Sequence, residues 1–333
     1  MTSGFGFPRR KFPTLSLIFT VGCVAATCSH AADAVKDFPL RPVRLVSPFP
    51  AGGNTDIIGR LIAPPLSERL GQNVIVENRP GAGSLIGNNY VAKATPDGHT
   101  LLVASGAFPS VAATVRSLPF DPLKDFAWVS LIVTYPFVVL VKVDSPVNTV
   151  ADLIAAAKKN PGKLNYASAG TGSVLHLAAE LFNTMARTDL THIPYKGGAE
   201  PVTELVAGRI DVVFTTLTGV FPLIEARRVK PIAIASSERS PQLPNVPTVA
   251  QTLPGYDVTS FAGLAATGGT PRAVIARLNR ELHAVLALPE IHKRLVETGG
   301  DVRPGSPDEM GRHVASDIAK WRRVVAEKKI ELQ

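Results

Sequence analysis

The chain has 333 residues, about two domains' worth, and its 45% apolar and 19% charged content excludes wholesale disorder. Gly 27 and Pro 28 are spread along the chain, which excludes collagen and low-complexity readings, and aromatics at 6% are too sparse for base-stacking nucleic-acid modules. The formal charge of +8 becomes +6 without Arg9, Arg10, Lys11 and Asp33 of the first 34 residues: a mild bias toward anionic ligands, not a nucleic-acid stripe.

Residues 1–34 read as a cleavable export signal. Arg9, Arg10 and Lys11 supply the positive start and residues 15–26 a short apolar run. Ser29-His30-Ala31 and Ala32-Asp33-Ala34 then offer small-x-small cleavage sites. The run is shorter than the roughly 20 residues of a membrane span. Arg9-Arg10-Lys11-Phe12 resembles a twin-arginine signal, with Pro8 and Pro13 departing from the pattern. Cys23 follows Gly22 as in a lipobox, but Thr20 is unsuited three positions earlier, so a released periplasmic protein is expected. Both cysteines, Cys23 and Cys28, lie in this segment. The remainder therefore has no Cys nucleophile, thiolate zinc site, iron–sulfur cluster or disulfide.

Beyond the signal, short β-branched runs alternate with amphipathic stretches. A strand is expected over 44–49 and a helix over 56–70, where Ile57, Ile58, Leu61, Ile62, Leu66 and Leu70 have helical spacing. Pro64 and Pro65 predict a kink or break in it. Further strands are expected over 73–76, 99–104, 136–143, 164–167, 189–193, 211–214 and 231–235. Helices are expected over 85–94, 149–159, 174–186, 201–207, 220–227, 271–288, 289–297 and 307–328. This alternation predicts an α/β fold with parallel sheets covered by helices on both faces. No repeat of 20–50 residues occurs and no polar linker separates two halves, so two domains sharing more than one crossing are expected.

Two loops between a strand and a helix carry the candidate chemistry. In Pro50-Ala51-Gly52-Gly53-Asn54-Thr55-Asp56 the glycines permit close backbone approach, and Asn54 or Thr55 can cap the helix. The free N–H groups at its start suit an anion. No Gly-Lys-Ser/Thr follows, so this is not a P-loop, and a plain capped turn is the alternative. Ser168-Ala169-Gly170-Thr171-Gly172-Ser173 repeats this logic and brings His176 into the first turn of the next helix, as a ligand contact or as a structural histidine. One such loop per candidate domain fits a carboxylate gripped from both sides. The G-x-G-x-x-x-G at Gly81, Gly83 and Gly87 follows Asn78-Arg79-Pro80 instead of a first strand, and Asp97 precedes the next strand, which argues against dinucleotide binding. No G-x-S-x-G, H-E-x-x-H or D-x-D-x-D-G occurs. His99, His176, His192, His283, His292 and His313 lack metal spacing, so no metal is expected.

From Arg41 to Asp56, in RPVRLVSPFPAGGNTD, the chain resembles the opening of the tripartite tricarboxylate transporter substrate-binding proteins, the Bug receptors. The resemblance continues in order through Val76-Glu77-Asn78-Arg79-Pro80-Gly81-Ala82-Gly83, Pro96-Asp97-Gly98-His99-Thr100-Leu101-Leu102 and Asp121-Pro122-Leu123-Lys124-Asp125-Phe126. Leu164-Asn165-Tyr166-Ala167-Ser168-Ala169-Gly170, Pro194-Tyr195-Lys196-Gly197-Gly198 and Leu243-Pro244-Asn245-Val246-Pro247-Thr248-Val249 complete it. It implies a type II-like periplasmic binding protein: two α/β lobes, each a mostly parallel sheet flanked by helices, with the ligand cleft between them. Lobe 1 would comprise 35–137 and 263–333, and lobe 2 138–262, with bending near 136–143 and 259–263. Such receptors are not enzymes, need no cofactor, and deliver small organic carboxylates to the membrane permease subunits of the transporter; a monomer is expected.

By position, the resemblance implies ligand contacts from Phe49, Ala51, Gly52, Gly53, Asn54, Thr55 and Asp56, with Ser105 and Gly106 beside them. Ser168, Ala169, Gly170, Thr171, Gly172, Ser173, His176, Tyr195 and Lys196 would face them from lobe 2, with Thr215 and Thr216 nearby. Many relatives carry Asp-Asn where this chain has Thr215-Thr216, which leans against amino-acid ligands. Ser84 replaces a common Gly, and Phe261-Ala262 a frequent Trp-bearing pair. A ligand-sensing receptor for a membrane signalling protein and a periplasmic enzyme acting on small acids are the competing readings. An export signal in place of DNA-binding helices argues against a regulator.

Overall fold

The structure, a computed structural model, describes residues 1–4, 6, 38–195 and 199–332. The expected export features at 9–34 and the candidate Lys196 lie outside the described residues. The chain divides into Met1–Phe38, in which residues 1–4 are exposed without regular structure, and Pro39–Gln333, which holds every element below.

The first sheet begins with β1 (Val43–Ser47), α1 (Asn54–Leu70), β2 (Val74–Asn78), α2 (Leu85–Ala92), β3 (Thr100–Ser105) and α3 (Ala107–Thr114). β1 pairs in parallel with β2 and β3, matching Leu45 to Val76 and Leu101. These strands are helix-covered, which is why their sequences are nearly continuous apolar runs. Then comes β4 (Phe126–Lys142), 17 residues long. The second sheet follows with α4 (Val150–Lys159), β5 (Asn165–Ser168), α5 (Val174–Ala186), β6 (Thr191–Pro194), α6 (Glu200–Val206), β7 (Val212–Thr216), α7 (Phe221–Glu225) and β8 (Val229–Ile234). The chain returns through β9 (Thr259–Thr267) and ends with α8 (Arg272–Leu286), α9 (Pro289–Glu297), β10 (Asp301–Val302) and α10 (Pro307–Glu327).

Strand order is β2-β1-β3-β9-β4-β7-β5-β6, with β8 and β10 also on β4. β4 belongs to both sheets. Its first part, Phe126 to Pro136, pairs with β9, and Phe137 to Val141 pairs with β7. Helix-linked neighbours are parallel (β1–β2, β1–β3, β5–β6, β5–β7), whereas β4 runs antiparallel to β7, β8 and β9. Residues 126–135, 262–267 and 107–114 are elements absent from the sequence expectation. In 126–135 the alternation is interrupted where the register shifts at Ser130 and Leu131–Val133.

α1 runs unbroken through Pro64 and Pro65. Pro64 is exposed, Pro65 is half-buried, and the two carbonyls deprived of donors belong to exposed Arg60 and half-buried Leu61, on the water side of the helix.

α10 is shared by two cores. Met310, Val314 and Ile318 pack with Phe108, Phe126, Trp128 and Phe261 of the first sheet. Trp321, Val324 and Val325 pack with Phe137, Tyr166, Phe182 and Phe214 of the second. The three- and four-residue spacing keeps all six on one helical face. Ser306 and Glu309 close a capping box at its start.

Candidate functional site

The first glycine loop leaves β1 and is braced from beneath. Ser47 and Thr55 are buried and share a hydroxyl–hydroxyl bond of 2.8 Å across the loop. Asp56, also buried, accepts from Gly52 N–H at 2.9 Å, from Arg60 Nε at 3.0 Å and from Asn78 Nδ2 at 2.9 Å. The Arg60 bond above all holds the Asp56 carboxyl at about 2, opposed by burial. Two expected ligand contacts, Thr55 and Asp56, therefore have their side chains turned inward as braces, and the Gly52 amide is already engaged. Gly52 itself sits at φ 82°, which a side chain would strain. Gly53 is the helix N-cap and Ile57 N–H reaches its carbonyl at 2.9 Å. The amides of Asn54, Thr55 and Asp56 thus precede the first intrahelical bond and have no acceptor inside the helix. Phe49 is half-buried, with its carbonyl held by Asn78 Nδ2 at 3.1 Å, and Ala51 is exposed.

Asn54 links this loop to the crossing strand: Tyr135 Oη donates to Asn54 Oδ1 at 3.2 Å and lies 3.2 Å from Thr298 Oγ1. Tyr135 is buried, which raises its phenol pKa. Sequence reasoning missed Tyr135 and Thr298, separated by 163 residues. Ser105 ends β3, and Gly106 N–H bonds Phe261 O of β9 at 3.2 Å. A Cβ on Gly106 would stand 2.7 Å from Ser260 Oγ, so glycine lets this turn touch the second crossing strand.

The second loop leaves β5. Ser168 is buried, with Oγ 2.6 Å from His192 Nε2 and accepting from Gly170 N–H at 3.1 Å. His176 Nδ1 accepts from Gly172 N–H at 3.0 Å, which fixes the proton of the neutral ring on Nε2. The two imidazoles stack with centroids 4.0 Å apart, and Tyr166 continues the stack 5.0 Å from His192. Burial and the neighbouring His192 lower His176 to about 3, and burial lowers His192 to about 4, so both are neutral near pH 7. Tyr166 closes the network by donating to Glu180 at 2.6 Å. His176 is therefore a buried support of the loop, and its partner His192 carried no signal in sequence.

Ser173 caps α5, its Oγ accepting from His176 N–H at 3.3 Å. That leaves the hydroxyl proton unused by the cap, beside the Val174 and Leu175 amides that precede the first intrahelical bond. Gly170, at φ 112°, keeps the turn compact, while Ala169 and Thr171 complete it. Tyr195 stays beside the loop through its backbone, its N–H donating to Ser168 O at 3.0 Å, while its phenol is held to Glu204, which also pairs with Arg209, and burial with the Glu204 charge raises its pKa. Thr215 and Thr216 close β7 and line a cavity of about 560 Å³ together with residues of α5, α6 and α7. A smaller cavity of about 260 Å³, lined by Thr134, Arg239, Arg303 and His313 among others, takes no residue from either glycine loop.

Each sheet thus presents a glycine loop and a helix N-terminus at the C-terminal ends of its parallel strands, where ligands of open α/β sheets bind. Among the described residues no group of three His, Cys, Asp or Glu could hold a metal ion, and no helix is long and apolar enough to cross a membrane.

The family of tripartite tricarboxylate transporter receptors matches residues 58–330. The UPF0065 protein of the tcbD-tcbE intergenic region of Pseudomonas sp. strain P51 is 38% identical over 309 residues, 92% of each chain. The adipate-bound Rpa4515 of R. palustris is 37% identical, with TM-score 0.75 over 89% of this chain and 100% of that one. The periplasmic binding protein BugD is 32% identical, with TM-score 0.73 over 89% and 100%. With the two-lobed α/β architecture and its paired glycine loops, these matches establish that the chain belongs to the tripartite tricarboxylate transporter receptor family, the Bug-type solute-binding proteins.

Proposed function

We propose that this chain is a periplasmic receptor that captures a small organic carboxylate between its lobes and passes it to the permease subunits of a tripartite tricarboxylate transporter. The observation that carries this reading is the pair of helix N-termini, at Gly53 and Ser173, one on each sheet. A carboxylate there receives backbone N–H donors and the positive ends of two helix dipoles, each worth roughly 0.3–1 kcal/mol at an exposed site and more when desolvated. The adipate of the R. palustris relative is a ligand of this chemical class. In this chain the contacts fall to the Asn54 side of the first loop, to Ser105 and Gly106, and to Ala169 through Ser173 with Thr215 and Thr216. Thr55, Asp56, Ser168 and His176 brace them.

We propose the following besides. The leader is removed between Ala32 and Val35, by the twin-arginine or the general route. The lobes divide at the crossing strands, with α10 completing both cores, and the receptor acts as a monomer without catalysis.

Native mass spectrometry of protein purified without added ligand, followed by calorimetry with the solute found, tests this. A retained carboxylate supports the reading. A neutral or cationic solute, or turnover of an acid by the purified protein, overturns it.

A further inference from the structure

The cavity of about 560 Å³ beside Thr215 and Thr216 differs in chemistry from the two glycine loops. Leu175, Val202, Val206, Val220 and Leu223 supply most of its wall, and among the described residues none that lines it is charged. Its polar groups are threonine hydroxyls and backbone. It is also contiguous with the anion-binding turn. Leu175 lies two residues past the N-cap Ser173, about 3 Å along the helix axis, so one turn of α5 offers its amides and an apolar wall together.

We propose that this cavity receives the hydrocarbon body of the ligand. The receptor is then selective for carboxylates with an extended apolar body over hydroxy acids and amino acids. The proposal rests on the carboxylate reading above and narrows it. A ligand ammonium buried here would give up water and meet no charged partner among the described residues, and a hydroxyl would exchange water for at best a threonine hydroxyl or backbone group, a loss that disfavours polar acids. A methylene entering the same space leaves water with nothing to replace, and each contributes about fourfold in affinity.

Calorimetry with butanoate, hexanoate, octanoate and 3-hydroxyhexanoate, and with the neutral amides of the three unsubstituted acids, tests it. Affinity is expected to rise about fourfold per methylene along the acids, and 3-hydroxyhexanoate to bind at least tenfold more weakly than hexanoate. Val206→Ser and Leu223→Ser alter half-buried positions of that wall and should flatten the series, weakening octanoate more than butanoate. Acids that bind without dependence on chain length, or octanoate affinity unchanged in both folded variants, overturn the inference and leave the carboxylate reading standing. A chain-length series seen only with the amides supports the apolar cavity and overturns the carboxylate reading. Silence of both series overturns both.

Discussion

Ser84 stands at φ 101°, a conformation that favours glycine. Its hydroxyl accepts from Asn88 Nδ2 at 3.0 Å, and both residues are buried, so the serine offsets backbone strain with a hydrogen bond. Ser84→Gly should therefore destabilise less than Ser84→Ala, which keeps the strain and loses the bond, by roughly 1 kcal/mol in urea unfolding. Ser173 serves two groups at once. Ser173→Ala removes the cap from His176 N–H, a loss of about 1 kcal/mol in stability, and the hydroxyl donor proposed for the carboxylate, weakening its binding by roughly 0.5–3 kcal/mol. Parallel unfolding and calorimetry separate the two; unchanged affinity in the folded variant would remove Ser173 from the site.

The stacked imidazoles give the second loop a pH signature. Folding lowers His176 to about 3 and His192 to about 4, whereas in the unfolded chain both titrate near 6.5. Between those limits the unfolded state binds more protons, so stability is whole above pH 6.5 and declines as pH falls toward 4. Asp56 acts in a separate window: its stabilisation is present above pH 3.8 and is lost as pH falls through about 2. Urea midpoints measured from pH 7 to 4.5 should fall in the native protein and fall less in His192→Gln. Equal slopes would mean that the rings are solvated.

At the scale of elements, α2 and the loop after β1 touch without intervening side chains. A Cβ on Gly87 would stand 2.8 Å from Pro48 Cα and 2.9 Å from Arg79 O, both backbone atoms with little room to move. Gly87→Ala should destabilise by about 1–3 kcal/mol through overpacking. It should also weaken ligand binding, because Pro48 and Phe49 lead directly into the first glycine loop. Calorimetry on folded Gly87→Ala protein checks the second effect, and native affinity would show that the loop absorbs the shift. α1 teaches the converse. Its two prolines leave the helix intact because the carbonyls they deprive lie toward water.

For the whole molecule, β4 is the strand shared by the two sheets, and it changes partners between Pro136 and Phe137. If the carboxylate is gripped by both glycine loops as proposed, a small ligand satisfies both only when the lobes approach, and it then favours the closed form by its differential affinity. Small-angle scattering should give a smaller radius of gyration for ligand-saturated than for ligand-free protein. Identical curves, with binding confirmed, would place the whole site in one lobe.

What the sequence by itself determined is local. The 3.6-residue periodicity and the short β-branched runs predict α4, α5, α8, α9 and α10 and most of the short strands within a few residues, and glycine before a helix start marks both loops. These signals are legible because the residues that produce them are neighbours in the chain. Only the tertiary structure decided which loop groups are available and which are braces. Asp56 occupies the Gly52 amide with help from Asn78, 22 residues away, and His176 of α5 occupies that of Gly172 while stacking on His192 of β6. It also decided that Tyr135 meets Asn54 and Thr298, and that Trp321 completes the second core although the same helix begins in the first. Such contacts join residues whose separation along the chain leaves no periodicity to read, and burial, which sets their charge states, exists only once the sheets have formed.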